Sequence, residues 1–157
     1  MNKKEKDKKE ISVCEIPVRQ HGNIKSANKT TVYRHRGDFK WQGVKDEPYK
    51  TEGAGWTNII RRVLIGSRGE SAKFHVRYFE ISSGGSSSLE QHRHEHVVIC
   101  VNGEGIVRTG RSRKKIGFMD MVYISPDTVH QLTNPFEKPF GFICIVNAKR
   151  DKPKVLE

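Results

Sequence analysis

The chain reads as an all-β protein, a sandwich or barrel, on three observations. Short β-branched and aromatic runs recur through its second half. Each run is bounded by Gly, Asn, Ser or Pro clusters of the kind that turn a chain. No stretch carries the apolar spacing of an amphipathic helix of useful length. With 157 residues, 34% of them hydrophobic, the chain can bury one core, which makes it one domain with tails.

Residues 1–10 alternate charge with no apolar face and read as a disordered charged tail. Residues 11–57 read as an extended N-terminal arm that packs on the barrel or on a partner subunit. Its short extended pieces are Ile11-Ser12-Val13, Thr31-Val32-Tyr33 and Trp41-Gln42-Gly43-Val44. Nothing in the arm points to chemistry: His21 and His35 stand among polar residues, and Trp41 and Trp56 read as packing anchors.

The barrel itself spans 58–147. Its first convincing strand is Asn58 to Gly66, followed by a turn at 67–70 and a second strand from Phe74 to Ile81. His75, on that strand, reads as a partly buried structural histidine. Ser82 to Ser88 reads as a loop, permissive in backbone and poor in bulk. Val97 to Val101 is a buried strand closed by the turn dipeptide Asn102-Gly103. Gly105 to Arg108 pairs back, and Thr109 to Ser112 turns again. Met121 to Ile124 is a strand stopped by Ser125-Pro126-Asp127. His130 to Leu132 resumes, Pro139 to Val146 closes the set, and 148–157 is a polar, loose tail.

The chemistry concentrates just before the buried strand, in Glu90-Gln91-His92-Arg93-His94-Glu95-His96. Three imidazoles crowded beside a carboxylate point to a metal. On a straight strand Glu90 and His96 would stand roughly 20 Å apart, too far for one ion. A bound metal therefore requires the chain to fold back, with Arg93-His94-Glu95 as a tight turn and His94 at its tip, away from the ion. Glu90 and His92 then come from the outgoing strand and His96 from the returning one.

These spacings resemble the cupin family. Its first motif, G-x5-H-x-H-x3-E-x6-G, is met in register by Gly84-x5-Glu90-x-His92-x3-His96-x6-Gly103, within 84–103. Glu90 stands where a histidine is usual and His96 where the glutamate is usual. The second motif, G-x5-P-x-G-x2-H-x3-N, is met within 119–134 by Met119-x5-Ser125-Pro126-Asp127-x2-His130-x3-Asn134, with both glycines replaced and Ser125 in place of the proline, which follows as Pro126. The resemblance implies a cupin-type double-stranded β-helix, a jelly-roll barrel, with Glu90, His92, His96 and His130 as metal ligands. It also implies a homodimer, since N-terminal arms in similar proteins often add strands to a partner.

Three imidazoles and one carboxylate suit one divalent transition metal in octahedral geometry, with two positions open. Iron or manganese is favoured, with nickel, cobalt or zinc as alternatives; a four-ligand zinc would close the site. The expected function is a metal-dependent enzyme acting on a small molecule, best read as a dioxygenase-like oxidoreductase. A cupin isomerase, lyase or decarboxylase, and a non-catalytic metal-dependent ligand sensor, are the alternatives. His94 and Tyr123 are the candidates for an acid, base or substrate contact.

The net charge of +11 is spread over several segments and reads as solvated surface, with steering of an anionic substrate as a second role. No recognition helix or aromatic stacking array argues for specific nucleic-acid binding. No apolar run approaches membrane-spanning length. Cys14, Cys100 and Cys144 form no C-x-x-C pair and read as reduced thiols, which with the lack of a signal-like start gives a cytoplasmic expectation.

Overall fold

The computed structural model describes residues 30–50 and 55–156. The charged tail, the extended piece at 11–13, Cys14 and His21 lie outside the described residues. The chain divides into two units, 1–32 and 33–157. In the first, the described residues 30–32 have no regular structure. The fold is that of the second unit.

It is all-β. β1 (Glu47–Pro48) lies on β2 (Thr57–Ile65), and β2 pairs with the long strand β3 (Phe74–Ser86). β4 (Glu90–Gln91), β5 (His96–Asn102), β6 (Gly105–Thr109), β7 (Ser112–Ile116) and β8 (Met121–Ile124) follow. β9 (His130–Thr133), β10 (Phe140–Asn147) and β11 (Lys154–Val155) complete the described set. The strand path β11-β4-β9-β3-β10-β5-β8 is antiparallel throughout, with β6 on β9 and β7 on β6. This is a nearly closed antiparallel barrel, one of the two architectures the turn signals predict, and of the jelly-roll kind that the resemblance implies.

Alternation sorts the side chains. On β3, Phe79 and Ile81 point inward, opposite Phe142 and Phe140 of β10, while Tyr78 points the other way. Val98 and Cys100 of β5 meet the same core. Burying each large apolar side chain contributes about 1.5–3 kcal/mol. On the outer face, Phe39 stacks on Tyr78 at 5.3 Å, and Trp41 packs on the same ring. Trp41 otherwise forms only an isolated bridge with His35, and 31–33 forms no strand.

Three expectations are corrected. Ser82 to Ser86 is strand and not loop, because Gly84 and Gly85 let β3 turn a corner onto β9. The amide of Gly84 donates to the Asn134 carbonyl, and the Asn134 amide donates to Gly85. A side chain at Gly85 would strike the Thr57 carbonyl at 2.8 Å. Buried Asn134 fastens the corner by donating to the Ile81 and Lys138 carbonyls. Secondly, Ser112–Ile116 is a strand whose first four residues are all exposed, so no alternation announced it. Thirdly, the polar end is tied down: β11 pairs with β4, and the Leu156 amide donates to the Leu89 carbonyl.

Candidate metal centre

The site sits where β4, the turn after it, β5 and β9 converge. Glu90 and His130 are direct cross-strand partners. Residues 92–95 turn the chain, as the fold-back argument requires, and His96 opens β5. All five candidate side chains are buried. Ligand atoms of His92, His94 and His96 lie within 4.8 Å of one another, as do those of Glu90, His92 and His130. His92 belongs to both groups.

His94 is the correction. The turn was expected to carry it away from the ion, yet it is only 6% exposed and stacks on His92 with ring centroids 3.7 Å apart. The cause lies in the C-terminal segment: His94 Nδ1 meets the Asp151 carboxylate at 2.8 Å, and Asp151 also accepts from the Arg93 amide. Tyr123 is placed elsewhere. It is 64% exposed on β8 and does not line the cavity beside the histidines.

Three of the imidazoles share one tautomer. Nδ1 of His92 meets the His94 carbonyl and Nδ1 of His130 meets the Thr128 carbonyl, both at 2.8 Å. Carbonyl and carboxylate oxygens only accept, so Nδ1 carries the proton in His92, His94 and His130. In that tautomer the lone pair is on Nε2. His96 has Cys144 Sγ at 3.4 Å on its Nδ1 side. The Nε2 atoms of His92 and His96 are buried with no hydrogen-bond partner. Orphaned buried nitrogens are costly unless something binds them, and a metal held by ring-oriented histidines is such a partner. Burial, reinforced by His130 and His92, pulls His96 down to about 2. Burial and the neighbouring His94 and His130 lower His92 as well. Both rings are therefore neutral donors at ordinary pH, which is the form a metal needs.

Glu90 is less available than its motif position implies. Its Oε2 accepts from Lys50 Nζ at 2.5 Å and from Ser88 Oγ at 3.0 Å. Its Oε1 lies 4.0 Å from His130 Nε2. Lys50 comes from the arm in which no chemistry was expected. A cavity of about 210 Å³ opens beside the cluster. His94, His96, His130 and Glu90 line it together with Arg61, Arg77 and Arg150, over an apolar floor that includes Phe79 and Phe142. The sequence reading passed over Lys50, Arg77, Arg150 and Asp151, and read Cys144 as a reduced thiol with no part in the site. Only Arg77 carried a signal, standing two residues before Phe79 and so on the same inward face.

Comparison with known proteins agrees with this fold. The Cupin domain family matches residues 77–146. A protein of Rhodospirillum rubrum named 1-methylthio-D-xylulose 5-phosphate methylsulfurylase is 37% identical over 121 residues, covering 76% of each chain. The crystal structure of a cupin 2 conserved barrel domain protein from Rhodopseudomonas palustris superimposes with a TM-score of 0.74 at 32% identity, covering 81% of this chain and 87% of that one. A cupin-2 domain from Rhodospirillum rubrum gives a TM-score of 0.70 at 34% identity, covering 80% and 84%.

Proposed function

This chain belongs to the cupin superfamily, and on that footing we propose that it is a metal-dependent enzyme that removes a thioether group from a small phosphorylated keto sugar. The observation that carries the metal is the pair of buried, unpartnered Nε2 atoms on His92 and His96. Its ligands are drawn from His92, His94, His96 and His130, with Glu90 adjoining. Iron or manganese remains favoured for a nitrogen-rich set with a carboxylate. The ion supplies Lewis acidity toward a carbonyl or enolate oxygen.

The support for the substrate class is the relative's name at 37% identity, together with a cationic cavity of small-molecule size. With a thiol as co-reactant the step balances. The carbon–sulfur bond beside the carbonyl breaks as a sulfur–sulfur bond forms. The electron pair goes to carbon, which takes up the thiol's proton. The carbon that bore the sulfur is reduced, the ketone is left unchanged, and the two sulfurs are oxidised to a disulfide. The chain's own residues hold the site for this: Asp151 fixes His94, Lys50 and Ser88 fix Glu90, and Phe79 and Phe142 keep the cavity floor dry.

This reading takes precedence over the dioxygenase-like one because of the relative's name, and the two differ in that sulfur transfer consumes no oxygen. The test is to incubate metal-loaded protein with 1-methylthio-D-xylulose 5-phosphate and a small thiol under nitrogen. Release of a mixed disulfide and the deoxy sugar phosphate is expected. A strict need for oxygen, with oxygen uptake, would restore the dioxygenase reading.

The homodimer stays part of the proposal. Exposed Phe118, Met119, Met121 and Tyr123 on and before β8 give a second copy an apolar face, and sedimentation tests it. The buried free thiols Cys100 and Cys144 fit the cytoplasmic setting expected from the sequence. Among the described residues, no helix is long and apolar enough to cross a membrane.

A further inference from the structure

The cations in and around the cavity are not all alike. Some meet a carboxylate. Lys50 meets Glu90, Arg61 meets Glu47 at 2.8 Å, Arg62 meets Asp46 at 2.6 Å, and Arg68 reaches Glu70. Arg62 shows the structural use of such a pair, since it is 3% exposed on the outer face and also donates to the Phe39 carbonyl. Arg77 and Arg150 differ. Both line the cavity of the histidine cluster, and neither has a carboxylate partner among the described residues.

Arg77 projects from β3 on the inward face, opposite Cys144 of β10. Its guanidinium lies over the Phe79 ring, 5.2 Å from the centroid, and one Nη donates weakly to Cys144 Sγ at 3.5 Å. Its Nε–H is buried with no partner. A planar cation packed on an aromatic face is pre-oriented, and its unused donors must face something. Arg150 stands just past β10, held by Nη1 contacts at 3.1 Å to the Asn147 carbonyl and to His75 Nδ1. That leaves the other donors of its guanidinium for the cavity. Burial, then the charges of Arg77 and Arg61, lower the Arg150 guanidinium from its ordinary value. Like charges gathered without a carboxylate partner repel one another, and an anion relieves them.

We propose that Arg77 and Arg150 form a subsite for the phosphate group of a small phosphate monoester, within the cavity that the metal-site histidines line. The inference rests on reading that cavity as a substrate site. Two uncompensated cations match the double charge of a phosphate monoester near neutral pH. Guanidinium forks suit its oxygens, which accept paired N–H donors. Arg61, already half-neutralised by Glu47, adds field without being the primary contact. The arrangement gives the substrate a direction: phosphate on Arg77 and Arg150, with the rest of the molecule reaching the histidines.

Calorimetry on metal-loaded protein tests this with D-xylulose 5-phosphate, D-xylulose and inorganic phosphate as probes. The phosphorylated sugar is expected to bind about tenfold tighter than the free sugar, or better, from charge-assisted hydrogen bonds. That advantage should collapse in Arg77→Met and in Arg150→Met, while Arg77→Lys keeps part of it. Inorganic phosphate should weaken in parallel. Metal content and circular dichroism should be unchanged in Arg150→Met, whose side chain lies outside the core, so this variant decides the matter if Arg77→Met does not fold. Equal binding of the two sugars to the natural protein would overturn the subsite. So would an advantage that survives both substitutions, since phosphate would then be held by the metal. Loss of the advantage without any thioether turnover upholds the subsite and refutes the proposed reaction. Turnover with an unaltered advantage does the reverse.

Discussion

The two ends of the barrel interior are built from the same strands and differ in almost every physical respect. Along β3 the inward side chains run Ile81, Phe79, Arg77. Along β10 they run Phe140, Phe142, Cys144, and along β5 they run Cys100, Val98, His96. One end is apolar and closely packed, with Gly105 lying so close to the Phe140 ring that no side chain would fit. The other gathers buried imidazoles, a carboxylate and guanidiniums around open space. The first end stabilises the fold, and the second draws on that stability to hold groups whose partners must come from outside. One strand alternation therefore serves both purposes, and the position along the strand decides which.

Substitutions separate the ends. The largest effect on folding belongs to the apolar end. Phe142→Ala should lower stability by about 3–5 kcal/mol in denaturant unfolding, with metal bound per folded chain unchanged. A loss below 1 kcal/mol would mean that this end is not the anchor.

At the polar end the expectation inverts. His92→Ala and His96→Ala should lower metal affinity on the order of 100-fold or more, while the metal-free protein unfolds at nearly the same denaturant concentration. His94→Ala should behave likewise, given its stacking on His92. Metal titration of the three variants checks this, and full affinity in His94→Ala would leave that ring for proton transfer.

A smaller effect is expected one shell out. Asp151→Asn weakens the hold on His94 Nδ1 and should reduce metal affinity about tenfold with the fold intact. Unchanged affinity would show that the C-terminal segment closes the site without orienting it.

The smallest effect comes from a polar group whose partners are all internal. Glu70, between β2 and β3, is held down to about 2 by the Tyr33 hydroxyl first, then by the Arg68 and Gly66 amides. Its folded value lies below its ordinary one of 4.5, so its contribution is present above pH 4.5 and is lost as pH falls through about 2. Thermal midpoints of the natural protein should drop more across that window than those of Glu70→Gln. Parallel curves would remove Glu70 from the account.

How far the sequence reached depends on the range of the interaction concerned. Strands β2, β5, β8 and β10 were legible because β-branched runs and turn dipeptides are local signals. β7 was not, because Ser112, Arg113, Lys114 and Lys115 face solvent in a strand that buries only Ile116 at its end. The turn at 93–95 followed from the impossibility of spanning roughly 20 Å with one ion. The direction of His94 did not follow, because its orienting group is Asp151, fifty-seven residues away.

By itself the sequence determined the all-β class, the motif spacing, and the crowding of Glu90, His92, His94 and His96 into one short stretch. These are properties of alternation and of residues near one another along the chain. Tertiary structure decided the rest. It brought Lys50 from the arm to occupy Glu90, and Asp151 from the end to turn His94 inward. It also left Arg77 and Arg150 without counter-charge in the same cavity. The physical reason is that charge pairing and ring orientation depend on distance in space, and segments far apart in sequence set those distances only when the barrel closes.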